Sequence, residues 1–281
     1  MKIVYDGVSF SYPSKTALKN VSCEISPGSV ALVVGHNGSG KSTFLKLMNG
    51  ILKPTQGDVR LEDVNTRDKR VSELARYCAL SFQNPDDQLF ASTVMKELRF
   101  GSENIMGDGS LVDVVSGILN LENYLQVNPL SLNYALRRLV AIGGSMAMDT
   151  PVLALDEPTA GLSQREKAYL GSLISHAKGL RKTVVIVTHD LNFLLPFADE
   201  ILMLSQGELR YSGGRDNLFD RKDVRVLMAG CGVSYPIYAR MSAAVEAGKY
   251  CFDAKELVRE LIERKAGATR RTNGRHQLEG A

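Results

Sequence analysis

Nine residues, GHNGSGKST at 35–43, carry the first chemistry legible in this chain. They satisfy G-x-x-x-x-G-K-[ST], with an apolar run, VALVV, just before them and a helical pattern just after, which is the context that motif requires. Glycines let such a loop curl until successive backbone N–H groups face a phosphate, and the helix start adds its dipole. Lys41 is then placed to reach β- and γ-phosphates, and Ser42 to offer its hydroxyl to Mg²⁺. Gly35, His36, Asn37, Gly38, Ser39, Gly40, Lys41, Ser42 and Thr43 together form the candidate nucleotide cradle.

Two further stretches supply side chains that such a cradle needs. PVLALDEPTAG at 151–161 puts Asp156 at the end of an apolar strand, where a carboxylate can hold Mg²⁺ through water. Glu157 follows one step on, where a carboxylate can orient or deprotonate an attacking water. VIVTHD at 185–190 places His189 at another strand end. A histidine there is either structural or a contact to the γ-phosphate, and its place downstream of Asp156 and Glu157 favours the second.

Elements of an α/β fold must position these groups. VALVVG, CALSF, PVLALD and TVVIVTH read as buried strands, and helical spacing follows over 42–48, 69–77, 110–125 and 133–148. Buried apolar strands alternating with helices predict a mostly parallel sheet covered on both faces. Residues 1–60 alternate as short strands, GELRYSGG at 207–214 reads as the end of a hairpin, and helical patterning resumes from about 220 to 265.

Bulk composition excludes several classes. With 281 residues, 44% hydrophobic and 23% charged, the chain has ordinary globular usage and can bury a large core. A net charge of +3 gives no electrostatic argument for a nucleic-acid partner. Cys23, Cys78, Cys231 and Cys251 form no C-x-x-C pair, so reduced thiols in a cytosolic setting fit best. The start, MKIVYDGVSF, lacks signal-peptide character, and no apolar run reaches the roughly 18 residues that span a bilayer. Any membrane role is therefore expected to come through a partner. The polar end at 266–281, with Arg270, Arg271 and Arg275, is expected to be a flexible basic tail.

Over residues 1–212 the chain resembles the ATP-binding-cassette (ABC) ATPases, with Walker A at 35–42, Walker B ending at Asp156, the catalytic Glu157 and the switch His189. The resemblance implies ATP and Mg²⁺ as ligands, Gln83 as the residue that contacts Mg²⁺ and the water, and Tyr12 in FSYP as the aromatic stacked on adenine. It implies a P-loop NTPase (RecA-like) core with an N-terminal antiparallel β subdomain and a helical signature subdomain at about 84–148. On that reading 1–219 is the ATPase domain and 220–265 a small helical unit suited to dimerisation. SFQNPDDQLFASTVMKELRFG at 81–101 is more specifically similar to energy-coupling-factor (ECF) transporter ATPases, importers of vitamins and transition-metal ions. That similarity implies a dimer of ATPases at the cytoplasmic face of the membrane, a transmembrane coupling subunit docked against 84–101, and a separate substrate-binding membrane subunit.

Two family positions are altered. Where an LSGGQ-type signature is expected at a helix N-terminus, the aligned residues are Leu130, Ser131, Leu132, Asn133 and Tyr134, with Cβ atoms where glycines allow close approach to phosphate. Ser163 stands where the D-loop usually carries Asp. Both positions face a partner subunit in the family, whereas the residues for this chain's own nucleotide match. A heterodimer with a related ATPase, having one competent and one weakened site, is the expectation; a homodimer would hydrolyse slowly. The alternatives are a soluble ABC ATPase acting on nucleic acid or ribosomes and a regulatory ATP-binding subunit with little turnover.

Overall fold

A computed structural model describes residues 1–105, 109–245, 247 and 249–263. In chain order its strands are β1 (Ile3–Tyr12), β2 (Lys15–Ile25), β3 (Val30–Val34), β4 (Gln56–Leu61), β5 (Val64–Asn65), β6 (Cys78–Ser81), β7 (Val152–Asp156), β8 (Thr183–Val187), β9 (Glu200–Ser205) and β10 (Glu208–Gly214). Its helices are α1 (Lys41–Met48), α2 (Val71–Leu74), α3 (Val94–Ile105), α4 (Leu111–Ile118), α5 (Tyr134–Ala147), α6 (Gln164–Gly179), α7 (Leu191–Leu194), α8 (Arg215–Phe219), α9 (Val224–Gly230) and α10 (Ile237–Ala244). A last helix runs over 254–263.

Six strands form one sheet in the order β10-β9-β3-β8-β7-β6, parallel except for the antiparallel β9–β10 hairpin. The four remaining strands form an antiparallel sheet, β2-β1-β4-β5. VALVV of β3 is buried along its whole length because both faces of the large sheet are covered. Successive side chains therefore enter different cores. Val30, Leu32 and Val34 join α3–α6 on one face, while Ala31 and Val33 join α1 and the small sheet on the other. Tyr5 of β1 locks the second core by stacking on Phe44 of α1, ring centroids 3.9 Å apart, and donating its hydroxyl to the Phe44 carbonyl at 2.7 Å.

The parallel sheet matters for function because β3, β7 and β8 end side by side. The cradle, Asp156–Glu157 and His189 all leave the same sheet edge, where ligands bind in open α/β sheets.

Several local expectations are corrected. The helix expected over 69–77 is reduced to the four residues of α2, since Lys69 and Arg70 are extended and Lys53 Nζ donates to the Thr66 and Lys69 carbonyls. Those bonds hold the approach as a turn. The helix expected over 110–125 stops at Ile118: Asn120 adopts φ 55° and Leu121 N–H closes onto the Ser116 carbonyl at 2.8 Å. After residue 214, Leu218, Phe219, Val224, Met228 and Phe252 share the core of the large sheet. The expected tail at 266–281 lies outside the described residues. Among the described residues, no helix is long and apolar enough to cross a membrane.

Candidate functional site

The loop between β3 and α1 is held by backbone that only glycine accepts. Gly35 has φ 153°, and a Cβ there would stand 2.1 Å from the Leu204 carbonyl oxygen of β9. Gly40 caps α1 at φ 108°, and a Cβ there would meet the Ala17 carbonyl oxygen and Leu18 Cδ2 at 2.6 Å. The loop is thus pressed between β9 and β2. Lys41 is buried and donates to the Gly35 carbonyl at 2.8 Å and the His36 carbonyl at 3.1 Å, so its ammonium lies across the mouth of the loop. Burial lowers its pKa, while Glu157 and Asp156 act in the opposite sense.

Around this loop opens a cleft of about 490 Å³. Asn37, Gly38, Gly40, Lys41, Ser42 and Thr43 line one side, and Gln83, Glu157 and His189 line the other. Tyr12 closes one end, 40% exposed, with its hydroxyl 3.3 Å from Thr43 Oγ1. Gly35, His36 and Ser39 lie behind this surface and support it. His36 N–H donates to the Cys231 carbonyl at 2.8 Å, and Ser39 is fully buried.

Asp156 is buried at the end of β7. Burial raises its pKa, whereas a hydrogen bond from Ser42 and the charges of Arg138, Lys46 and Lys41 lower it. Its Oδ1 is buried and has no hydrogen-bond partner. An unpartnered carboxylate oxygen beside a serine hydroxyl is a donor set that fits Mg²⁺.

Glu157 leaves the strand with φ 50°, a left-handed conformation unusual for a side chain with a Cβ. Its N–H still donates to the Val187 carbonyl at 2.9 Å, which fixes the kink and turns the carboxylate toward β8. There it meets His189. Oε2 accepts from the His189 N–H at 3.2 Å, and Oε1 lies 3.0 Å from Nε2. Burial pushes the Glu157 pKa up to about 7, against the lowering effects of the His189 N–H and Lys41. Burial, then the Lys41 charge, lowers that of His189. A carboxylate titrating near neutrality, held by a neutral imidazole, is suited to accept a proton from water.

The expected partner-facing residues lie elsewhere. Leu130 and Ser131 belong to a 3-10 turn, Pro129–Ser131, where the Ser131 hydroxyl donates to the Asn128 carbonyl at 2.7 Å. Ser131 therefore lies in the turn before the helix, not at the helix N-terminus where an LSGGQ-type signature is expected. That place belongs to Asn133, which caps α5 by accepting from Leu136 N–H at 2.9 Å. Leu132 packs against the core, and Tyr134, the first residue of α5, covers Gly161: a Cβ on that glycine would stand 2.6 Å from the tyrosine ring. Ser163 caps α6 in a capping box with Glu166, so the serine fills the structural duty of an N-cap.

Lys15, Ala17 and Ala160 also line the cleft, and Arg138 lies beneath it; sequence reasoning named none of them. Lys15 Nζ donates to the Gly38 carbonyl at 3.4 Å. Only the β1–β2 hairpin, folded over the loop, brings Lys15 and Ala17 there, and no local pattern announces it.

The ABC transporter family profile matches residues 18–160, which contain both the cradle and the β7 carboxylates. The chain belongs to the ABC transporter family. This ABC chain is 38% identical over 224 residues to the energy-coupling factor transporter ATP-binding protein EcfA2 of Halalkalibacterium halodurans, covering 76% of this chain and 79% of that protein. Among solved structures it is similar to cbiO1 of Clostridium perfringens, part of the ABC transporter complex cbiONQ. The TM-score is 0.68 at 26% identity, over 87% of this chain and 98% of that one. An ATP-binding cassette in a dimeric post-hydrolysis state with ADP and Pi matches with TM-score 0.66 at 27% identity, over 75% and 98%. As an ABC ATPase, the chain is an enzyme that hydrolyses ATP to ADP and phosphate in the service of transport.

Proposed function

We propose that this chain is the ATP-hydrolysing subunit of an ECF-type importer of a vitamin or transition-metal ion, working as half of a heterodimer at the cytoplasmic face of the membrane. The observation that carries the reading is an asymmetry. Lys41, Ser42, Gln83, Glu157 and His189 meet around one cleft, whereas the start of α5 presents Asn133 and the bulky Tyr134. Similarity to EcfA2 and to cbiO1 supports the importer class.

In this reading Tyr12 stacks on adenine, the loop N–H groups and Lys41 hold the phosphates, and Ser42, Gln83 and, through water, Asp156 hold Mg²⁺. Mg²⁺ when bound neutralises developing charge on the phosphates. Glu157 accepts the proton of the attacking water, and His189 holds Glu157 in place and faces the γ-phosphate. With Asn133 as the helix cap, the signature is best placed at Leu132, Asn133, Tyr134, Ala135 and Leu136. Two side chains with Cβ atoms then stand at the glycine positions, and the ATP of the partner meets the weakened face.

A groove of about 360 Å³ between α3 and α5, with Phe90 and Phe100 at its rim, suits the coupling helices of a transmembrane subunit. Phe90 is 61% exposed and packs edge-on against Phe100, centroids 4.5 Å apart. The ATPase domain is assigned to 1–219 and the helical unit at 220–265 to dimerisation, with a separate membrane subunit choosing the substrate. The test is phosphate release by the purified chain alone and with a related ECF ATPase. Slow turnover alone that rises on mixing is expected; vigorous turnover alone, abolished by Glu157→Gln, overturns the heterodimer.

A further inference from the structure

Among the described residues Arg138 is the largest fully buried side chain, and none of their carboxylates forms an ion pair with it. Its guanidinium instead reaches four main-chain carbonyls. Nη1 donates to Phe82 and Gln83 at the end of β6, and Nη2 donates to Asp156 and, at 2.6 Å, to Glu157 at the end of β7. One planar group thus joins the two segments that hold the metal and water residues.

Burying a guanidinium costs several kcal/mol unless its donors are satisfied; here both Nη atoms are satisfied by carbonyls, while the buried Nε has no partner. Packing alone does not require it, since an apolar side chain of similar volume would fill the same space in α5. The fork geometry of arginine, with donors fixed in one plane, is what matches two pairs of carbonyls at once. Each pair sits at a break in regular structure. Phe82 and Gln83 follow the last residue of β6, and Glu157 has left-handed backbone. Phe82 and Gln83 lie past the last β6–β7 rung, Ser81 with Leu155, so Arg138 ties that segment to the end of β7, where Asp156 pairs with Val187 and the Glu157 carbonyl also accepts from the Ala160 N–H at 3.2 Å.

The same helix also holds the segment after Gln83. Arg137 pairs with Asp86 at 2.8 Å, and Gln88 Nε2 donates to the Ala141 carbonyl at 2.9 Å. A shift of 84–88 against α5 is therefore transmitted to Arg138.

We propose that Arg138 is a positioning residue for hydrolysis, a clasp that keeps Gln83 and Glu157 at a fixed separation across the cleft. Movement at the α3–α5 groove thereby changes the placement of Glu157 without touching the P-loop. The inference rests on the roles given above to Gln83 and Glu157.

The test compares Arg138→Gln and Arg138→Lys with wild type and Glu157→Gln, each assembled with the partner ATPase. Binding of a fluorescent ATP analogue with Mg²⁺ counts competent sites, and phosphate release gives kcat per competent site. Arg138→Gln, which can serve one carbonyl pair at most, is expected to keep analogue affinity within about threefold while kcat falls on the order of 100-fold. Arg138→Lys, keeping the charge without the fork, is expected to recover about a tenth of the lost rate. If Arg138→Gln does not fold, Arg138→Lys alone decides, with an expected fall in kcat of at least about tenfold at unchanged KM. A kcat per site within threefold of wild type in the folded variant overturns the clasp, as does a loss of affinity that matches the loss of rate. Normal turnover in Glu157→Gln instead overturns the reading of the site itself, whatever Arg138 does.

Discussion

His189 holds both oxygens of Glu157, its Nε2 lying 3.0 Å from Oε1 and its backbone N–H donating to Oε2 at 3.2 Å. Burial raises the Glu157 pKa from 4.5 to about 7, so the base form appears across the neutral range. For the free enzyme, kcat/KM for ATP is expected to rise with pH through about 7 and then level off. A profile flat from pH 6 to 8 counts against Glu157 as the base.

The same shift has a stability consequence of definite sign. A carboxyl with a raised folded-state pKa favours the fold most below its unfolded value of 4.5, and that contribution is lost as pH rises through about 7. Glu157→Gln, which keeps an acceptor for the His189 N–H, is expected to stabilise the nucleotide-free protein at pH 8 by up to about 3 kcal/mol and to do little at pH 4.5. Thermal melts of both proteins across this range check it. The same substitution is expected to lower kcat by about 100- to 1,000-fold with ATP still bound.

Lys41 spans the loop mouth by donating to the Gly35 and His36 carbonyls. Lys41→Ala removes the phosphate-directed charge and unpairs both carbonyls. Equilibrium binding should show ATP affinity reduced by at least about tenfold, on the order of 1.4 kcal/mol. Unchanged affinity would remove Lys41 from the phosphate site.

At the start of α5, Tyr134 covers Gly161 and Ala135 follows it. The triple change Asn133→Ser, Tyr134→Gly and Ala135→Gly is expected to raise the turnover of the chain on its own by at least about tenfold, because backbone N–H groups gain close access to a partner's phosphate. If turnover alone stays at the wild-type level, these side chains are not what limits the chain on its own.

Phe90 and Phe100 stand at the rim of the groove, far exposed for aromatic residues. Phe90→Asp with Phe100→Asp should leave ATP binding within about twofold while co-purification with the membrane subunit falls. Retained co-purification would move the docking surface elsewhere.

The sequence alone determined the cradle, the end of β7 and the α/β class. Each depends on short-range requirements: glycines where φ is positive at Gly35 and Gly40, a lysine and serine at a helix start, and carboxylates at the end of an apolar run. Such features repeat their signal within a few residues, so spacing exposes them.

Helical spacing already put the start of α5 at 133, but only the tertiary structure decided which residue caps it and what Arg138 does. Asn133 caps α5, while the preceding turn at Pro129–Ser131 consumes the Ser131 hydroxyl. Arg138 acts on carbonyls 55 and 56 residues before it and 18 and 19 residues after it. Main-chain carbonyls carry no residue identity, so no pattern of side chains reveals which ones a buried guanidinium will find; packing of α5 against β6 and β7 settles it.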